Sequence, residues 1–125
     1  MNIQESNKLI AEFMGLKPQS KTDNRYFNTP DIFYKYDTGE YRITNTATPE
    51  SMKYHSSWDW LMPVVEKIEA LEIGDTDMSV EIEGHNCLIT LTHHDRYHKY
   101  VAHDSKINAV YASAVAFIQW YNQNK

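Results

Sequence analysis

The sequence predicts an α+β fold: a small two-layer domain with an antiparallel sheet from two hairpins and three helices, in the order α-ββ-α-ββ-α. Two observations lead to this fold class. Three segments repeat apolar residues at helical spacing, and two segments place apolar or aromatic runs on either side of a glycine-containing turn. Hairpins favour an antiparallel sheet, and helices must cover at least one of its faces. The 125 residues are interpreted as a single domain, 1–125.

The first helix is predicted over residues 2–14. Asn2 can cap it, Glu5 completes a capping-box pattern three residues later, and Gly15 supplies the left-handed stop. Polar side chains of this helix, Asn7 among them, are expected to face water. Residues 17–30 are polar and rich in turn formers, so we expect a surface connection there. The predicted apolar side consists of Ile3, Leu9, Ile10, Phe13 and Met14.

Residues 31–45 predict the first hairpin, with Gly39 at its turn. The second helix follows, capped by Ser56 or Ser57. Pro63 comes too late for the first helical turn, where a missing N–H costs nothing. We therefore expect a short turn that holds both tryptophans, then a kink, then a main helix over about 62–71. Its apolar stripe is predicted to be Leu61, Val65, Ile68 and Leu71.

Residues 72–77 are expected to end that helix. Residues 78–92 predict the second hairpin, because apolar and polar residues alternate on both sides of Gly84. Cys87 is expected to face the core in this hairpin, as an inert structural thiol. Residues 93–104 predict a histidine-rich connection. The last helix is predicted from Asp104 or Ser105 to about residue 122, with an apolar stripe of Ile107, Val110, Tyr111, Ala114, Ile118 and Tyr121, widened by Phe117 and Trp120.

Charge and composition exclude several classes of protein. A formal net charge of −5 and a pI near 5.6 argue against a nucleic-acid-binding surface, which is normally basic. The single cysteine excludes an internal disulfide and fits a reducing compartment, most simply the cytosol. The N-terminal residues lack the pattern of a signal peptide, and no apolar run approaches the roughly 18 residues of a membrane span. We expect a soluble protein without a membrane partner.

The segment 93–103 is the first candidate for chemistry. His93, His94, His98 and His103 lie close together there, and such side chains are ligands of zinc and other divalent metals. Their spacing matches no established ligand pattern, so a solvated polar loop is the alternative and no metal ligand is assigned. His103, Asp104 and Ser105 bring three catalytic residue types together, but adjacency in sequence is not triad geometry. No catalytic residue is predicted, and the balance inclines towards a protein that is not an enzyme.

Phosphate or nucleotide binding is the second candidate. Arg96, Lys99 and the nearby histidines could hold an anion, and a base could stack on one of the nine tyrosines. Against this, the chain has only four glycines and no glycine-rich phosphate loop. The alternative is that the tyrosines build a semi-polar core or an interface between subunits.

Three stretches carry a resemblance to a known group of proteins: IAEFMG, YHSSWDWLMPVVEKIEAL and SKINAVYASAVAFIQWYN. Together they resemble small accessory proteins of Bacteroidota phages and prophages. The resemblance covers most of the chain in outline, and no catalytic residue can be carried over from it. It implies an accessory protein that acts on host physiology or host defence.

These observations lead to a homo-oligomeric binding protein that sequesters a small signalling nucleotide and needs no cofactor. Inhibition of a host enzyme by direct protein contact is the alternative, and a metal-dependent hydrolase built on the segment 93–103 is the third possibility. Trp58 and Trp60 cannot share one helix face at a spacing of two, so at most one belongs to the core. In the predicted ligand site, aromatic stacking comes from Tyr54, Trp58 and Trp60, and phosphate contacts come from His94, Arg96 and Lys99.

Overall fold

The computed structural model describes residues 2–20, 32–36, 51–73, 76–91 and 97–124 of the chain. These residues form three helices and six strands, and every strand pair is antiparallel, which confirms the predicted α+β class. The predicted succession of helix, paired strands, helix, paired strands and helix is present, with two further strands beside the second pair. The described residues group into two units, Met1–Met52 and Lys53–Lys125. The prediction of one domain stays a prediction.

The first unit contains helix α1 (Ile3–Phe13), strand β1 (Leu16–Ser20) and strand β2 (Ile32–Tyr36). Asn2 caps α1 as predicted, because its side-chain oxygen accepts from the Glu5 amide at 2.8 Å. Gly15 has a φ of 96°, which agrees with the predicted left-handed stop. Helix α1 contacts β1, and β1 pairs with β2 to form a two-stranded sheet.

Three predictions for the first unit need comment. Asn7 does not face water: it is completely buried, and its Nδ2 donates to the Met52 carbonyl at 3.2 Å. Ile3 is 52% exposed rather than apolar core, since it is the first residue of the helix. The start of the predicted connection 17–30 is strand, because pairing with β2 outweighs its polar composition and Pro18 is tolerated in an edge strand. The Gly39 turn and the second half of its hairpin lie outside the described residues.

The second unit begins with helix α2 (Trp58–Ala70). The expected separate turn was wrong, because Trp58, Trp60 and Pro63 all belong to one uninterrupted helix. The expected kink at Pro63 stays a prediction. Pro63 removes only the N–H that would bond to the carbonyl of Asp59, a surface residue whose carbonyl can bond to water instead. Ser57 occupies the cap position as predicted, but its side chain makes no capping hydrogen bond. Leu61, Val65 and Ile68 are buried as expected, and Val64 joins them.

Four strands form the sheet of this unit: β3 (Glu72–Ile73), β4 (Thr76–Glu83), β5 (Asn86–Leu91) and β6 (His98–Ala102), in that order. The predicted second hairpin is confirmed as β4 and β5, which turn at Gly84 with a φ of 57°. Residues 72–77 do not only end the helix, since β3 and the start of β4 pair there. The histidine-rich connection is partly wrong as well, because β6 lies within it and pairs with β5 over five positions.

Helix α3 (Lys106–Asn124) completes the second unit. It contacts β4, β5 and β6, while α2 contacts β4 and α3. The cross-strand pairs Met78–Leu91 and Ile82–Cys87 place their side chains on one face of the sheet, and the buried residues of β5 lie on that face. This face and the two helices form a common core with Phe117 and Ile118 completely buried. In the described part of the chain, no helix combines the length and the apolarity needed to cross a membrane.

Candidate functional site

Trp58 is the first residue of α2, and its side chain is 37% exposed. The helix begins there because the Ser57 carbonyl accepts from the amides of Trp60 and Leu61, at 3.2 and 3.0 Å. The preceding residues form a turn in which the Lys53 carbonyl accepts from the amides of Ser56 and Ser57. Two consecutive turns of hydrogen-bonded backbone therefore hold the indole of Trp58 at the surface.

Trp60 has a different environment, since its ring meets the ring of Tyr54 edge to face, at 5.1 Å between centroids and 87° between planes. Tyr54 is only 4% exposed. The neighbouring His55 meets Tyr111 of α3 at 6.1 Å in a similar geometry. We call Tyr54, His55, Trp60 and Tyr111 the entry cluster. Aromatic pairs of this kind add about 0.5–1.5 kcal/mol beyond the area that they bury. The entry cluster thus fixes the start of α2 against α3, beside the exposed Trp58.

The structure brings only some of the predicted site residues together. Tyr54 and Trp60 are in direct contact, and Trp58 is adjacent to them in the helix. Lys99 is exposed on β6, where it pairs with Ile89. Two strand spacings, about 10 Å, separate β6 from β4, the strand that α2 contacts. His94 and Arg96 lie outside the described residues, so the predicted set as a whole stays a prediction.

The site predicted from sequence did not include a second group of aromatic residues, which brings the residue before β6 against α3: Tyr97, Phe117, Trp120 and Tyr121. The ring of Tyr97 lies 5.4 Å from Phe117 and 5.0 Å from Trp120, and the ring of Phe117 stacks on that of Tyr121 at 5.9 Å. The contacts of Phe117 with Trp120 and Tyr121 could be expected from the sequence, because these residues are three and four positions apart on one helix. The contact of Tyr97 could not, because it depends on the pairing of β6 with β5.

Tyr97 carries a buried hydroxyl. Its side chain is 8% exposed, and the buried Oη has no hydrogen-bond partner in the described part of the chain. Burial, followed by the electrostatic influence of Cys87, raises the pKa of Tyr97 to about 12. The phenol therefore stays neutral near pH 7 and cannot act there as a base.

Cys87 agrees with the prediction of a structural thiol. It is 1% exposed in the central strand β5, and burial raises the pKa of its thiol despite a hydrogen bond with Ser113. The Ser113 hydroxyl also lies 3.5 Å from the Cys87 carbonyl oxygen. Because the thiolate is the reactive form, this cysteine is unsuited to nucleophilic chemistry.

The start of α3 holds the polar residues that the sequence places side by side. Asp104 Oδ1 lies 2.7 Å from His103 Nδ1 and accepts from Asn108 Nδ2 at 2.7 Å. The Ser105 hydroxyl accepts from the Asn108 amide at 3.2 Å, so it caps the helix rather than facing a base. Within the described ranges, no group of three or more His, Cys, Asp or Glu side chains is placed to hold a metal ion. His93 and His94 lie outside those ranges.

The pKa of Asp104 provides a test of this arrangement. The pKa of the Asp104 carboxyl is lowered first by the hydrogen bond from the side-chain amide of Asn108 and second by the hydrogen bond with His103. A carboxyl whose pKa is lowered by folding stabilises the folded state at any pH above the ordinary pKa of the group. This contribution to folding stability is lost as the pH falls through the lowered pKa. We expect Asn108→Ala to raise the pKa of Asp104 towards its ordinary value, as followed by carboxyl NMR titration. Asn124→Ala, at the other end of the same helix, is the control, and an unchanged pKa in Asn108→Ala would contradict the assignment.

The buried hydroxyl of Tyr97 leads to a prediction about stability. An unpaired buried hydroxyl costs about 1–3 kcal/mol, and phenylalanine has the same ring without it. We expect Tyr97→Phe to increase the free energy of unfolding by about 1 kcal/mol in urea titrations. Tyr100→Phe, at a side chain that is 59% exposed, should leave that free energy unchanged. A clear loss of stability in Tyr97→Phe would show that the hydroxyl has a partner.

Comparisons of the chain with protein-family models, with curated proteins and with solved structures found no match.

Proposed function

We propose that this chain is a phage-type accessory protein that binds a small signalling nucleotide without chemical conversion, and so counters a host defence in the cytoplasm of the bacterial host. The observation that carries this proposal is the exposed indole of Trp58, held at the first turn of α2 beside the entry cluster. A nucleobase can stack on such a ring, and each base stacked on an aromatic side chain contributes about 1–3 kcal/mol. The likeness to phage accessory proteins supports the biological setting.

The phosphate contacts in this proposal come from His94, Arg96 and Lys99. Two strand spacings, about 10 Å, separate β6 from the strand that α2 contacts, so the stacking ring and Lys99 belong to different parts of one chain. We therefore propose a homo-oligomer in which one copy supplies the stacking ring and another supplies the cations. A ligand at a boundary between subunits also fits the aromatic-rich composition of the chain.

Calorimetric titration of the chain with cyclic nucleotides and ADP-ribose-type nucleotides tests this function. We expect one of them to bind, and Trp58→Ala to weaken that binding about tenfold or more, because a stacking partner is lost. Met62→Ala is the matched control, since Met62 is an equally exposed apolar residue of the same helix, at 36%. The proposal fails if no nucleotide binds at about 1 mM, or if both variants bind as the parent chain does.

A second candidate function is inhibition of a host enzyme by direct protein contact. One observation favours it: β6 lies at the edge of the four-stranded sheet, and four of its five side chains are exposed. Edge strands present backbone groups on which an extended segment of another protein can pair. The two functions give Lys99 different partners, a phosphate in the first and a protein group in the second.

Affinity capture from a host lysate tests the second candidate. With the full chain as bait, we expect one stoichiometric protein partner, and we expect Lys99→Glu to lose it because the reversed charge repels the partner. Lys53→Glu changes the net charge equally at an exposed lysine that is remote in sequence from β6, and it should retain the partner. A bait that captures no stoichiometric protein rejects this function.

A further inference from the structure

The outer edge of β6 is a line of backbone hydrogen-bonding groups that no other described strand pairs with. In the described part of the chain β6 pairs with β5 and with no other strand. The Leu91 amide donates to the Tyr97 carbonyl at 2.9 Å, and the His103 amide donates to the His85 carbonyl at 3.1 Å. In an antiparallel ladder the residues of one strand bond alternately to the two sides. Odd-numbered residues of β6 therefore bond to β5, and the amides and carbonyls of His98, Tyr100 and Ala102 point away from it.

The side chains along this edge are open to solvent and carry one positive charge. Tyr100 is 59% exposed on the face that points away from the helices, with His98 and Ala102 on the same face. Lys99 lies on the opposite face, the one that α3 covers, in register with the buried Ile89. No carboxylate belongs to β6. A strand that pairs here will meet three amides and three carbonyls that have no partner among residues 2–20, 32–36, 51–73, 76–91 and 97–124, together with an ammonium group without a counterion on its own strand.

A second copy of this chain fits the edge poorly. If two β6 strands paired with His98 opposite Tyr100, the two copies of Lys99 would lie directly opposite each other on the helix-covered side of the joined sheet, and neither strand would bring a carboxylate to them. Like charges directly opposite each other destabilise a strand pair. An inward-pointing charge on an edge strand is a known device against such self-pairing. The position of Lys99 thus disfavours a second copy and favours a strand of opposite charge.

We infer that the β6 edge binds an extended acidic segment of another protein, which adds a fifth strand to the sheet and places a carboxylate beside Lys99. The backbone of the segment would bond to His98, Tyr100 and Ala102, and these bonds would supply affinity for any extended chain. The Lys99–carboxylate pair would supply the preference for an acidic one. This inference rests on the second candidate function and names the kind of segment that the host protein must present.

Hydrogen exchange followed by NMR tests the edge residue by residue. The probe is a synthetic acidic peptide, Ac-TVEVEVT-amide. The control is the same peptide with lysine in place of glutamate. We expect the acidic peptide to slow exchange of the amides of His98, Tyr100 and Ala102 by about tenfold at saturation, because these amides become hydrogen-bonded. The amides of Lys99 and Val101 already bond to β5 and should not change. The lysine peptide should bind about tenfold more weakly.

Charge reversal separates the inferred contact from general electrostatic attraction. Lys99→Glu should invert the preference, so that the lysine peptide protects the three amides better than the acidic one. Lys53→Glu makes the same change in net charge at another exposed lysine and should leave the preference as it is. Both variants alter exposed residues, so we expect each to fold, and the unchanged amides of β5 verify this in the same spectra.

Three results would overturn the inference. One is the absence of protection with either peptide, and another is equal protection by both peptides. The third is that the same amides become protected from exchange without any peptide, and that this protection increases with protein concentration. That result would identify a second copy of the chain as the occupant of the edge. The second candidate function can fail separately. If the chain binds the acidic peptide but captures no host protein, the edge site is supported and the function as an inhibitor of a host enzyme is rejected.

Discussion

The structure of the second unit depends on the burial of α3 against β5. Between Lys106 and Lys125 the chain has no charged residue, so this helix has no charged face to offer to water. The side chains of Cys87, Ile89 and Leu91 form the surface that receives it, each at 1–2% exposure. Burying one large apolar side chain contributes about 1.5–3 kcal/mol, and Phe117 and Ile118 are completely buried in this contact. The flanking strands and α2 are held in place around this central pair.

The same arrangement decides which surfaces remain for function. With α2 and α3 on one face of the sheet, the Cys87 thiol and the Tyr97 phenol on that face are buried. Among the described residues, the surface of this unit includes the indole at the start of α2, the polar residues before α3 and the outer edge of β6. None of these needs a catalytic centre in order to act, since each offers a contact: a ring, a charge or a line of backbone donors and acceptors. This is the physical reason for proposing a binding protein.

Local patterns predicted the elements whose interactions are local. The Asn2 cap depends on residues three apart, and the hairpin of β4 and β5 depends on alternation around Gly84. Elements defined by a distant partner were missed: Pro18 lies in a strand because of β2, and His98 lies in one because of β5. At the candidate site, the spacing of the two tryptophans showed that they must differ. It could not show which one faces solvent, because Trp60 is covered by Tyr54, and that contact belongs to the tertiary structure.

The order of the strands has a consequence for how this chain folds. In the four-stranded sheet each strand lies beside the strand that precedes it in sequence, and α3 follows directly after the last one. Every pairing in that sheet therefore closes a short loop, whereas β1 and β2 must close a gap of eleven residues, 21–31. Short-range contacts lower the entropy lost before the first favourable interactions form, and proteins rich in them fold quickly. The part of the chain that presents the β6 edge is thus built from short-range pairings, each of which closes a small loop.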